Sequence, residues 1–145
     1  IYFVEDDYLH YEHSLIDMLN TYERVSSQHK DEIIVCPSDY PFNYMNNEKT
    51  NILIGSQQHW RTITKMLCTF MISKKMFQKH IDNFEKTCEK RHEPFEKYLN
   101  KILESEIGIS PIKSLAIHMT NVNSSYGLSP FIDLKKLWEE NKIDQ

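Results

Sequence analysis

The chain opens on four apolar residues, Ile1 to Val4, that end at three consecutive acids, Glu5, Asp6 and Asp7. A short run of β-branched and aromatic residues reads as a buried strand. In the next stretch, YLHYEHSLIDMLNTYERV, Leu15, Met18, Leu19 and Tyr22 recur at helical spacing. Ser14 is a candidate N-cap there, with Asp17 three residues on, so the acids are expected between a strand and a helix. DEIIVCPSDYP gives a second buried strand, Ile33 to Cys36, closed by Pro37 and a turn. The polar, Asn-rich FNYMNNEKTN follows as a loop.

Farther on, ILIGSQQHWRTITKMLCTFMIS reads as two extended segments around a polar insertion. A helix is predicted from Lys74, with Phe77, Ile81, Phe84 and Cys88 on one face. Pro94 suits the first turn of another helix that turns Phe95, Tyr98, Leu99, Ile102 and Leu103 inward. GISPIKSLAIHMTNVNSSYGLSP returns to extended structure and loop, and FIDLKKLWEENK reads as a terminal helix or helical turn. Strands alternating with helices predict an α/β domain over residues 1–145 with a largely parallel or mixed sheet.

Composition narrows the function. The 145 residues carry a formal net charge of −4 and show no Arg/Lys stripe, which argues against nucleic acid as a partner. Only three glycines are present, too few for a Gly-rich phosphate loop. No apolar run approaches the ~20 residues of a membrane-spanning helix, and no signal-peptide pattern is visible. Cys36, Cys68 and Cys88 are odd in number and lack zinc-ligand spacing. They read as free thiols of a reducing compartment such as the cytoplasm.

The acids carry the most specific chemistry. In open α/β sheets ligands gather beyond the carboxyl ends of the strands, where this reading puts Glu5, Asp6 and Asp7. Three adjacent carboxylates repel one another, and a hard divalent cation such as Mg²⁺ or Mn²⁺ would offset them while sharing its other positions with phosphates. The plain alternative is a solvated acidic turn beside a helix N-terminus.

YFVEDDYLH followed by an amphipathic helix resembles the DxD-type motif of GT-A-fold glycosyltransferases, in a Glu-Asp-Asp form. HWRTITKMLCTFMIS and PIKSLAIHMTNVNSSYGLSPFIDLKKLW are similar to later segments of a group of microbial and large-virus glycosyltransferases, in the same order. The resemblance implies a GT-A-like mixed sheet flanked by helices. Because the chain starts at the strand of the acidic motif, it also implies the C-terminal, catalytic and acceptor-binding half of a larger domain, with the nucleotide-binding half upstream. It implies a metal-dependent enzyme that moves a hexosyl or deoxyhexosyl group from a UDP- or GDP-linked donor to a glycan or glycoprotein hydroxyl, using Mn²⁺ or Mg²⁺.

Carried over residue by residue, the resemblance makes Asp7 the direct metal ligand, with Glu5 and Asp6 facing ribose or metal-bound water. His118, at the end of the apolar run Leu115 to Ile117, becomes a second metal or diphosphate ligand; otherwise it is an ordinary strand-end histidine. Trp60 would stack on a sugar and Arg61 would grip hydroxyls or the diphosphate; otherwise Trp60 is core and Arg61 a surface ion pair. Asp39, with Tyr40 and Tyr44, would contact the acceptor. The base that deprotonates the acceptor hydroxyl is sought in Glu93, Glu96 or Asp82, of which Glu93 stands just before Pro94. Two rivals remain: a non-catalytic sugar-binding module of the same fold, and a nucleotidyltransferase with similar acidic metal ligands.

Overall fold

The computed structural model describes residues 1–45, 47–89, 96–123 and 127–142. Ile33–Val35 (β3) forms the centre of a mixed sheet, with successive residues on opposite faces and all of them buried. Ile33 and Val35 join the core on one face; Ile34, with Cys36, joins the core on the other. A strand buried on both sides needs apolar residues at every position, which is why IIVC was legible. β3 runs parallel to Ile107–Pro111 (β7) and antiparallel to Phe70–Met71 (β6). Tyr2–Phe3 (β1), Ile52–Ile54 (β4) and His59–Ile63 (β5) complete six strands in the order β1-β6-β3-β7-β5-β4. The architecture is thus α/β with a mixed sheet. No helix among the described residues is long and apolar enough to cross a membrane.

Ser14–His29 (α1) covers one sheet face through Met18 and Val25. The other face meets Lys74–Lys79 (α2), Ile81–Cys88 (α3) and Glu96–Ile102 (α4), through Met76, Phe84, Leu99 and Ile102. Leu134–Glu140 (α5) is capped by the Asp133 carboxylate, which accepts from the Lys136 amide at 3.0 Å. The single helix expected from Lys74 breaks at His80. There His80 Nε2 lies 2.7 Å from Glu106 Oε1, and Lys79 Nζ reaches the same oxygen at 2.7 Å. Burial raises the Glu106 carboxyl, but Lys79 and His80 outweigh it and hold the group below its ordinary range.

Several expectations change. The opening run is a half-buried edge strand, with Ile1 and Val4 about half exposed. The acids do not lead into a helix, because Tyr8–His10 (β2) intervenes and pairs antiparallel with Ala116–His118 (β8). On α1 the buried face is Ser14, Asp17, Met18, Thr21 and Val25, while Leu15 and Leu19 face outward. Ser14 is no cap: its hydroxyl donates to the Leu115 carbonyl. Between β1, β6 and helices α2 to α4 lies a cavity of about 760 Å³ lined by Phe3, Phe70, Phe77, Phe84 and Leu99.

Trp60 is fully buried because Gly55, across the β4–β5 turn, leaves room for its ring. A Cβ at position 55 would stand 2.2 Å from Trp60 Cδ1 and 2.9 Å from the Gln58 carbonyl oxygen. Neither can yield freely, so Gly55→Ala is expected to lower unfolding stability by about 1–3 kcal/mol, as overpacking does, in urea titrations followed by tryptophan fluorescence.

Candidate functional site

The three acids occupy the turn between β1 and β2, and their surroundings differ. Glu5 is half-buried, and its backbone N–H donates to Thr69 Oγ1 at 3.0 Å. Desolvation raises its carboxyl above the ordinary range. The Asp7 and Glu96 charges add to that, while His118 and the Thr69 hydroxyl act against it. Asp6 is exposed. Asp7 is turned toward β8, where its Oδ2 lies 2.7 Å from His118 Nε2 and its carbonyl accepts from Met119 N–H at 2.9 Å.

His118 is held as well as approached. Its ring stacks on Tyr8, centroids 4.9 Å apart and planes within 9°. Tyr8 directly opposes it in the β2–β8 register, and the Tyr8 hydroxyl lies 2.8 Å from that of buried Tyr40. A carboxylate and an imidazole from distant parts of the sequence therefore meet at the end of one ribbon. Among the described residues no group of three or more His, Cys, Asp and Glu side chains is assembled for a metal. The 2.7 Å separation is that of a charge-assisted hydrogen bond, so the two groups now satisfy one another; both are nonetheless ligand types that divalent ions take. Few protein ligands is also the pattern of ions that share their sphere with phosphates, and a mixed nitrogen and oxygen set suits Mn²⁺ better than Mg²⁺.

A second polar cluster follows β3. Asp39 is 3 % exposed and accepts from the Tyr44 hydroxyl and, at 2.7 Å, from Ser129 Oγ. Arg61 Nη2 donates to the Tyr44 oxygen at 2.5 Å, and the guanidinium sits 4.3 Å from the Tyr44 ring centroid. The same nitrogen stands 3.4 Å from Asp39 Oδ1, near enough to pair in charge but off the hydrogen-bond axis. Asp39 Oδ1 and Arg61 Nε are thus buried without a hydrogen bond. Desolvation raises the Asp39 carboxyl despite Ser129, Tyr44 and Arg61. A narrow cavity of about 10 Å³ joins the two clusters, lined by Ser38, Asp39, Ser114, His118, Asn121 and Ser129. That is room for about one water, so no sugar enters while 127–129 stays where it is.

The structure corrects several roles drawn from the sequence. Trp60 offers no sugar-stacking face because it is fully buried. Along β5, His59 is exposed and Trp60 buried, so HWRT cannot act as one cradle. Arg61 is committed to Tyr44 and Asp39, with its side chain only 11 % exposed, and is not free to grip a diphosphate. Asp82 is exposed in the first turn of α3, and no contact among the described residues links it to the acids. Glu93 lies outside the described residues. Glu96, at the start of α4, is near enough to add its charge at Glu5. Tyr8 and Ser129 were missed: Tyr8 follows the acids, and its strand position is the signal that names it, whereas nothing around Ser129 marks it.

No family model, curated protein or solved structure matches this chain.

The raised Glu5 carboxyl gives a sign that can be checked. The folded state binds this proton more tightly than the unfolded chain does, so ionised Glu5 lowers stability at neutral pH. Glu5→Gln is expected to raise the denaturation midpoint at pH 7. The gain should shrink as pH falls through the folded value toward the ordinary glutamate range, and it should be absent below both.

Proposed function

We propose that this chain is the metal- and acceptor-binding part of a GT-A-type glycosyltransferase, moving a sugar from a nucleoside diphosphate donor to a hydroxyl of a glycan or glycoconjugate. One observation carries the reading: Asp7 of the acidic motif and His118 of the late strand meet at 2.7 Å at the end of one β-ribbon. A partly exposed carboxylate and an imidazole make a donor pair suited to Mn²⁺, and the half-buried Glu5 adds negative charge beside it.

Asp7 and His118 would hold the ion, which when bound offsets the charge that develops on the leaving diphosphate. Tyr8 fixes the plane of the His118 ring, so its nitrogen keeps facing Asp7. Asp39, ordered by Ser129 and Tyr44, walls the cavity that ends at His118, the place for a polar group of the acceptor. Of the candidate bases among the described residues, Glu96 is the one whose charge is felt at Glu5, and we assign it the acceptor proton.

The reading is tested by nucleoside diphosphate release from a panel of UDP- and GDP-sugars, with and without Mn²⁺, using the full-length protein. Asp7→Ala and His118→Ala are each expected to lower kcat by about 100-fold or more, with circular dichroism unchanged, and Asp82→Asn to leave it as it was. Undiminished turnover in Asp7→Ala overturns the metal assignment. Metal-independent sugar binding without turnover supports a non-catalytic module instead, and release of pyrophosphate supports a nucleotidyltransferase.

A further inference from the structure

Ser114 lines the narrow cavity beside His118, and it also lines a wider groove of about 300 Å³. That volume is at the lower end of small-molecule sites. We propose that this groove is a saccharide-binding subsite, in which Phe131 and Tyr11 are the ring platforms and Asp17, Gln58 and Lys113 hold the hydroxyls. The ligand class rests on the glycosyltransferase reading; the groove and its groups do not.

Phe131 is 74 % exposed and adopts φ 71°. A bulky side chain in the left-handed region costs roughly 1–2 kcal/mol, and burial of this ring does nothing to offset it. The other described non-glycine residue of positive φ, Lys30, has a structural reason: it closes α1, its amide bonding to the Ser26 carbonyl. Phe131 follows Pro130 in a turn, at the position where a type II turn takes positive φ, but that geometry favours glycine or asparagine and does not call for an exposed aromatic ring. Its conformation presents a flat aromatic face at the groove, 5.2 Å from Lys113 Nζ. Tyr11, which also lines the groove, is fixed through its hydroxyl, which accepts from Asp133 N–H at 3.0 Å. Aromatic faces of this kind take the apolar C–H side of a sugar ring.

The polar groups suit the hydroxyls. Asp17 is 2 % exposed, yet accepts only long hydrogen bonds, from Thr21 at 3.2 Å and Gln58 at 3.3 Å. A carboxylate offers about four acceptor sites, and no lysine or arginine among the described residues pairs with this one. Each oxygen therefore has one partner and keeps a further acceptor position for a hydroxyl donor entering the groove. Gln58 is clamped at both ends, since its Oε1 accepts from Lys113 N–H at 2.7 Å. Its free amide hydrogen is therefore held in place. Charge selects the ligand: Lys113 and Lys136 in the lining are matched by Asp17 and Asp133, so the groove favours a neutral polyhydroxyl compound over a phosphate. Leu115 borders it, three residues of extended strand from His118, or roughly 10 Å. A sugar bound here is an outer residue of an extended acceptor rather than the reacting one.

The test is saturation-transfer NMR on the full-length protein without metal or nucleotide, using the methyl glycosides of glucose, galactose, mannose and N-acetylglucosamine, with inorganic phosphate as competitor. At least one glycoside is expected to be saturated at its ring C–H protons. Phe131→Ala, on the surface and harmless to folding, should weaken it about tenfold; Phe131→Trp should preserve it, and phosphate should not displace it. No saturation from any glycoside, an unchanged signal in Phe131→Ala, or displacement by phosphate overturns the subsite. Asp7→Ala separates the two readings. If it spares saccharide binding, the subsite stands whatever becomes of turnover, and if it abolishes saccharide binding with folding intact, the groove is not the site.

Discussion

The pairing of β2 with β8 is the constraint on which the candidate site depends. Each strand has three residues, in the register Tyr8 to His118, Leu9 to Ile117 and His10 to Ala116. A two-stranded ribbon is marginal alone, and this one is tied down at both ends and along one edge. The Met119 amide bonds to the Asp7 carbonyl at one end, and the Tyr11 amide to the Leu115 carbonyl at the other. On its outer edge the Pro37 carbonyl accepts from both Leu115 and Ala116 N–H. Ser38 and Ser114 hydroxyls donate to the Ala116 carbonyl, each at 2.7 Å. These bonds fix β8 to the loop after β3, so the acidic turn, the late histidine and Asp39 are set against one another by backbone rather than by long side chains.

The buried polar residues explain how much of this was legible. The central strand was visible because both of its faces are apolar. His118 was visible at a strand end because an apolar run stops there. α1 was visible as a helix but not in its orientation. Its inner face carries Ser14, Asp17 and Thr21, and each is satisfied locally: Ser14 by Leu115, Thr21 and Asp17 by one another and by residues of the β4–β5 turn. A hydrophobic stripe cannot report a face built from hydrogen bonds, so Leu15 and Leu19 pointed the wrong way. β2 was hidden for a related reason. Its YLH follows three acids and precedes helical spacing, and its only partner lies at the far end of the chain, beyond the reach of local pattern.

HWRT shows the opposite error, in which adjacency suggested a common task. A strand sends neighbours to opposite faces, and β5 does so: Trp60 enters the core against Gly55, while Arg61 turns to Tyr44 and Asp39. Period two alone separates the two residues, and it makes them structural partners of different layers. The tryptophan thereby supports the sheet that carries Asp39, and the arginine holds the ring and carboxylate that wall the cavity beside His118.

What remains unpaired in that wall bears on how the site works. Asp39 Oδ1 and Arg61 Nε are both buried without a hydrogen bond, and each such group costs on the order of 1–3 kcal/mol. Tyr44, Ser129 and the guanidinium could have been arranged to satisfy them, yet the hydroxyls converge on Oδ2 and leave Oδ1 open. Ser129 belongs to the segment that roofs the cavity, so the same hydrogen bond that orders Asp39 also closes the space next to it. A change that breaks this hydrogen bond therefore acts on the order of Asp39 and on the closure of the cavity together.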